Sequence, residues 1–245
     1  MQPTPRTTTR REFLIRSSLA GLTLPLCARW SFAADTAAAV KLLVLTGGHG
    51  YDEPAFQKLF QSLAGITTTM KTMDQFFALP AAERDAFDVL LFYHMLMPTP
   101  KDKALEALTH LGSTEQGLVV LHHALLAYPQ WPVWTDIMGI ANRKFGYHHD
   151  QKLHVKVVNT EHPITKGLKS WDMIDETYTM ADAGEGSEIL LTTEHPKSMK
   201  TLGWTRQHKK SRVFCFESGH DNQTWVDPNF REVLRRGVLW CARKL

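Results

Sequence analysis

Apolar residues in the first half of the chain fall in short unbroken runs, and each run is followed by a stretch of helical periodicity. Runs of this kind read as strands buried on both faces of a parallel sheet. They predict strands at residues 40–46, 66–71, 88–93 and 117–122, separated by helices at 53–64, 76–85 and 100–111. Gly112 follows the last of these helices, where helices commonly stop. The β-α-β-α-β-α-β order predicts an α/β fold: a three-layer, doubly wound arrangement around a mainly parallel sheet. After Asp136 the pattern changes. Leu153, Val155 and Val157 alternate with polar residues, the alternation breaks at 161–167, and it resumes to Tyr178. Strands are expected at 187–193, 201–205 and 212–216, then a closing helix over 229–242. The second half therefore reads as antiparallel additions to the edge, with 212–216 returning to the sheet. No linker interrupts residues 38–245, which read as one domain.

Four of the runs lead to histidine: Lys41–Leu45 to His49, Val89–Phe92 to His94, Leu118–Leu121 to His122 and His123, and Val213–Phe216 to His220. In open α/β sheets ligands bind outside the carboxyl ends of the strands, so imidazoles gathered there make a candidate site. Gly47-Gly48-His49-Gly50 lacks the glycine spacing and the lysine of a phosphate-binding loop. It argues for a tight turn presenting His49 and Asp52, and against a nucleotide. Leu121-His122-His123 occupies the strand-to-helix position where an elbow presents a nucleophile, but with no Ser or Cys there. Imidazole at that place suggests a base or a metal ligand, with His122, nearest the strand end, favoured over His123. In Asp175-Glu176-Thr177-Tyr178, extended backbone puts Glu176 and Tyr178 on one face. Ser218-Gly219-His220-Asp221 ends the last main strand, with Trp225 beyond it as a candidate face for stacking on a sugar. His94 is expected to line the rim, and His148-His149 to lie in a loop. His110, His195 and His208 read as surface residues.

Composition changes the picture mainly at the N-terminus. Residues 1–34 resemble an export signal: Arg10-Arg11-Glu12-Phe13-Leu14 is a twin-arginine pattern, an uncharged stretch follows, and Ala33-Ala34 closes it. The uncharged stretch is too short for a permanent membrane span. The expectation is a mature protein in the periplasm or secreted, with no membrane anchor after cleavage. The segment carries five arginines against one glutamate, so its removal turns the chain's +3 into −1. No basic patch then remains to suggest nucleic acid. Cys215 and Cys241 survive processing and read as core residues, with a disulfide between them left open.

Several segments carry a family resemblance in order: Leu45–His49, Gly117–Ala124, His162-Pro163-Ile164-Thr165-Lys166-Gly167-Leu168, Asp175–Tyr178, and the tract from Arg212 through Gly219-His220-Asp221 to Trp240. Together they resemble the trehalose-utilisation (ThuA-like) family. The resemblance implies the class I glutamine amidotransferase-like, flavodoxin-like fold, and a link to disaccharide and keto-sugar catabolism. The nucleophilic cysteine of amidotransferases is replaced by the His122 elbow, so that activity is not expected. The combined expectation is an exported hydrolase, lyase or isomerase acting on a keto-glycoside or sugar derivative. His122, Glu176 and His220 would be its catalytic groups; His49, Asp52, Tyr178 and Trp225 would bind substrate. His49, His122, Glu176 and His220 would hold a divalent metal, zinc first among them, if one is used. The rival expectation is a non-catalytic sugar- or metal-binding module.

Overall fold

The structure, a computed structural model, describes residues 38–245; the proposed signal segment lies outside them. The apolar runs form strands β1 (Val40–Gly47), β2 (Ile66–Thr72), β3 (Val89–His94), β4 (Gly117–Leu121) and β9 (Ser211–Phe216). These pair in parallel in the order β2-β1-β3-β4-β9. Beyond β9 the sheet continues antiparallel through β8 (Thr201–His208), β7 (Glu188–Thr192), β5 (Gly146–Val157) and β6 (Trp171–Thr179), nine strands in all among the described residues. Residues Ala38–Leu245 form one compact unit.

Successive residues of β1 face opposite sides, which is why its run is apolar throughout. Leu42 and Val44 pack with α1 (Glu53–Gln61) and α7 (Pro228–Cys241); Leu43 and Leu45 pack with α2 (Met73–Ala78), α4 (Asp102–Thr109) and α5 (Pro132–Met138). Helix α7 buries Phe230, Val233, Leu234, Gly237, Val238 and Cys241, a stripe at helical spacing. Asp227 caps its first turn by accepting from the Asn229 and Phe230 N–H groups. Cys215 and Cys241 are both buried and free, and they belong to the clusters on opposite faces of the sheet. The disulfide left open by the sequence is not formed.

Three elements differ from their expected spans for local reasons. The helix expected over 76–85 begins at Met73, where Thr72 and Gln75 form a reciprocal capping box. It stops before Pro80, which has no N–H to give and holds Leu79 extended; a separate turn, α3 (Ala81–Arg84), follows. Strand β5 starts at Gly146 and takes in His148 and His149, which are therefore strand residues and not a loop. The ladder with β6 secures this polar stretch through a bulge between His148 and Gln151, with Asp150 at φ +55°. Among the described residues no helix is long and apolar enough to cross a membrane.

At Gly237 helix α7 lies tight against the sheet: a Cβ there would overlap the ring of Phe214. Glycine to alanine inside a helix ordinarily adds about 1 kcal/mol of stability. Here the overpacking should reverse the sign, and Gly237→Ala is expected to cost about 1–3 kcal/mol. Denaturant unfolding would show it; a stabilised variant would mean that the helix is free to slide.

Candidate active site at the carboxyl edge of the sheet

The carboxyl ends of β1, β3, β4 and β9 bring their histidines to one edge. His122, the first residue after β4, adopts φ +48°, a left-handed conformation that is unusual for a side-chain-bearing residue. The chain turns sharply there into a short 3-10 helix, His122–Leu126. The His122 ring is fully buried. Its Nδ1 lies 2.6 Å from the Glu217 carbonyl oxygen. A carbonyl only accepts, so Nδ1 carries a proton, and Nε2 is the atom that faces the site.

Strand β6 reaches this edge without pairing to β9. Two buried carboxylates tie it down crosswise. Asp175 on β6 accepts from the Gly219 and His220 N–H groups at 2.8 and 3.0 Å, and Glu217 beyond β9 accepts from the Tyr178 N–H at 2.9 Å. Thr224, in the short helix α6 (Asn222–Trp225), donates to the Ile174 carbonyl. The result is that Glu176 and Tyr178 both face His122, and the Tyr178 hydroxyl lies 2.9 Å from its Nε2.

Three donor atoms now converge. His122 Nε2 lies 3.2 Å from His220 Nδ1 and 3.4 Å from Glu176 Oε1, and His220 Nδ1 lies 3.5 Å from the same Oε1. The other oxygen of Glu176, Oε2, stands 2.7 Å from His149 Nδ1. Burial opposes charge on His122, but Glu176, Asp175 and Glu217 outweigh it and raise its pKa. Burial likewise opposes charge on Glu176, and its bond and charge interaction with His122 bring its pKa below the usual range. Burial lowers the pKa of His220, helped by the neighbouring His122. Burial, with Asp175 nearby, pushes Glu217 up to about 8.

The site assembles some of the expected residues and places others differently. His122, Glu176, Tyr178 and His220 come together. His49 does not join the donor set: it is exposed, its ring lies 4.0 Å from that of His123 and 6.1 Å from that of His220. His149 stands where a fourth member was expected, and the bulged strand that delivers it was not visible in the sequence. Trp225 is not available for stacking on a ligand. It is 2% exposed, packs against Phe56 and Tyr93, and donates to the Gly219 carbonyl. Asp52 serves as the N-cap of α1 and accepts from Asn222, so both carboxylate oxygens are in use. His94 does not line the rim. It is buried beside Tyr128 and Trp134, and burial pushes its pKa down to about 3. His123 is buried as well, with no hydrogen-bond partner on either ring nitrogen. His208, expected at the surface, is buried.

The donor set suits a divalent ion. Ligand atoms at about 2.0–2.1 Å around a tetrahedral ion sit roughly 3.3 Å apart. The sides of 3.2, 3.4 and 3.5 Å match one face of such a tetrahedron and are long for charge-assisted hydrogen bonds. The Nδ1–H of His122 on a backbone carbonyl is also the outer contact that fixes a ligating imidazole. Beside the cluster opens a cleft of about 270 Å³, lined by His49, Met95, His123, Leu126, Phe145, Tyr147, His149, Glu176 and Tyr178.

Residues 41–241 match the profile of the family described as ThuA: Trehalose utilisation. Among solved structures, the chain is similar to a protein of Parabacteroides merdae ATCC 43184 described as ThuA-like. They are 18% identical with a TM-score of 0.69, over 83% of this chain and 90% of that one. A ThuA-like protein of Bacteroides uniformis ATCC 8492 is 20% identical with a TM-score of 0.69, over 86% and 95%. A Thermoplasma acidophilum protein described as part of a GMP synthase is 14% identical with a TM-score of 0.50, over 84% and 95%. At these identities the likeness is one of fold, an α/β fold with a large mixed sheet. No curated protein matches the chain.

The titrations give stability a maximum in protein freed of metal by chelation. Below the ordinary imidazole value of 6.5, buried neutral His94 and His123 bind fewer protons folded than unfolded, so stability falls as pH drops. Above 6.5, His122 and Glu217 hold protons that the unfolded chain has released, so stability falls as pH rises towards about 8. Thermal unfolding across this range should peak near 6.5. Glu217 already lowers stability as pH rises above its ordinary value of 4.5, so Glu217→Gln should flatten the alkaline limb and steepen the acid limb above 4.5. A wild-type Tm that keeps rising towards 8 would contradict these assignments.

Proposed function

The chain belongs to the ThuA (trehalose utilisation) family, and on that footing we propose that it is a metal-dependent enzyme acting on a carbohydrate derivative, an oxidised (keto) glycoside. The observation that carries the reading is the triangle of His122 Nε2, His220 Nδ1 and Glu176 Oε1, set at tetrahedral spacing beside an open cleft. These three side chains would hold the ion. Two imidazole nitrogens and a carboxylate oxygen suit zinc among the divalent first-row metals. When bound, such an ion supplies Lewis-acid polarisation of a carbonyl or hydroxyl oxygen.

The remaining groups supply proton chemistry. A carboxylate only accepts, so Glu176 Oε2 holds the proton on His149 Nδ1 and leaves His149 Nε2 as a base. His149 is half-exposed and lines the cleft, whereas His122 and Glu176 are buried. A proton on the carbon beside a sugar carbonyl would pass to His149 Nε2, and the negative charge would gather on the carbonyl oxygen. Burial keeps the Tyr178 phenol protonated, so its hydroxyl is a donor to charge developing nearby. Loss of the glycosidic oxygen, which takes the proton back from His149 Nε2 as it leaves, completes an elimination. Return of that proton to the carbonyl carbon, with the hydroxyl proton of the deprotonated carbon passing to the old carbonyl oxygen, completes an isomerisation.

Export by the twin-arginine route belongs to the same reading, and Arg10-Arg11 with Phe13-Leu14 supports it. Replacing both arginines by lysine should leave unprocessed chain in the cytoplasm; normal processing would rule the route out.

The chemistry is tested by elemental analysis of the purified protein and by mass spectrometry of products from keto-glycosides and their unoxidised parents. His220→Ala is expected to lower metal content while leaving the fold intact. His149→Ala and Glu176→Gln are each expected to cut turnover by about 10²–10⁴-fold. Sugar binding without turnover of any substrate would favour the binding-module reading. Full activity in protein proved free of metal would end the metal assignment.

A further inference from the structure

The strand that delivers His149 to the cluster carries an aromatic ring on the same face, and a second ring just precedes it. Side chains two apart on a strand share a face, so Tyr147 and His149 stand together on β5, with Phe145 immediately before the strand. The ladder sets Tyr147 opposite Tyr178. Tyr147 is 59% exposed, the one aromatic ring among the exposed large hydrophobics of the described residues. Its ring lies 5.3 Å from that of His149, while Phe145 packs 5.9 Å from Tyr178. With Met95 and Leu126 these rings make the apolar wall of the cleft, and His49, His149 and Glu176 supply its polar side. A lone exposed aromatic needs no explanation. One at the mouth of a cleft, apolar beside it and polar across from it, has the anatomy of a ring-binding site.

We propose that Tyr147 and Phe145, backed by Met95 and Leu126, form a subsite for the second saccharide ring of the substrate, the one joined through the leaving oxygen. The inference rests on the sugar-derivative reading above and deepens it. The reacting ring lies against the His149–Glu176 pair. The attached ring lays its C–H face on Tyr147, one strand position away, and turns its hydroxyls towards His49. A saccharide ring suits this wall better than an aryl group, because an aryl group would leave His49 Nε2 at its rim without a partner. The Tyr147 subsite replaces the role the sequence suggested for Trp225, which is sealed in the core.

Steady-state kinetics of wild type, Tyr147→Ala and Tyr147→Phe would decide it, using a keto-disaccharide and the matching methyl and phenyl keto-glycosides. Wild type is expected to prefer the disaccharide. Tyr147→Ala should lower the disaccharide-to-methyl ratio of kcat/KM by about tenfold, mainly through KM, and Tyr147→Phe should keep it, since the face of the ring and not its hydroxyl makes the contact. An unchanged ratio in Tyr147→Ala, or an equal loss on both substrates, would overturn the subsite. Phenyl preferred over the disaccharide would overturn the saccharide assignment. If wild type turns over none of them, the enzymatic reading fails on its own, and NMR titration with the disaccharide and the methyl glycoside decides the subsite. Disaccharide binding about tenfold weaker in Tyr147→Ala, relative to methyl glycoside, would keep it, and equal binding would discard it.

Discussion

Two carboxylates that reach past one another hold the site in place. Asp175 takes the N–H groups of Gly219 and His220, and Glu217 takes that of Tyr178. In strand order β6 is the far end of the sheet, four places from β9, and no ladder joins the two. The crossed clamp substitutes for that ladder. Hydrogen bonds inside a protein contribute about 0.5–1.5 kcal/mol each, and buried ones hold direction as well as distance. Glu176 faces His122 because its neighbour Asp175 is fastened on the other side of the strand. The nearest residue to the chemistry is positioned by one that never enters the cleft.

The second constraint is backbone strain. His122 sits at φ +48° and Gly219 at φ +125°, at the two turns that aim imidazoles inward. At position 219 a side chain would also press on Phe230 and Leu121, so glycine is needed for space and for conformation. At position 122 the strained residue carries the functional ring itself. Its cost is offset by the surrounding fold, through the Glu217 carbonyl on Nδ1 and full burial of the ring. The same carbonyl decides the tautomer, so the backbone that follows β9 sets which nitrogen of a β4 residue can act. The two clamps and the elbow thus form one mechanical unit.

The parallel strands and the edge that holds the site were legible because buried strands write themselves as unbroken apolar runs. The convergence of His122, Glu176 and His220 was legible because strand ends and period-two alternation fix direction. His149 and Tyr147 were not. They lie on a strand whose polar, bulged stretch has no hydrophobic signature and exists only through its ladder with β6. Trp225 failed for the complementary reason. A tryptophan near a site stacks on ligand or core according to tertiary packing, and here Phe56 and Tyr93 claim it. Asp52 was drawn off by a local demand, the unpaired N–H groups at the start of α1.

Buried polar atoms normally find partners, and those that do not ask for a reason. At this edge of the sheet they cluster: His94 Nε2, both ring nitrogens of His123, Glu217 Oε2 and Ser218 Oγ. Each unpaired group costs about 1–3 kcal/mol, so a stretch of chain selected for stability alone would have replaced several of them with apolar residues. Other unpaired polar atoms lie away from the site, on Thr68, Trp171, Arg206 and His208 among others; what sets this edge apart is that its unpaired groups stand beside one donor triangle. None of these atoms belongs to His122, His220 or Glu176, so an ion held by those three would leave them unpaired. The hydrogen-bonding needs of His123, beneath the ring of His49, would still be unmet. Of these groups, His123 is the one that also lines the cleft.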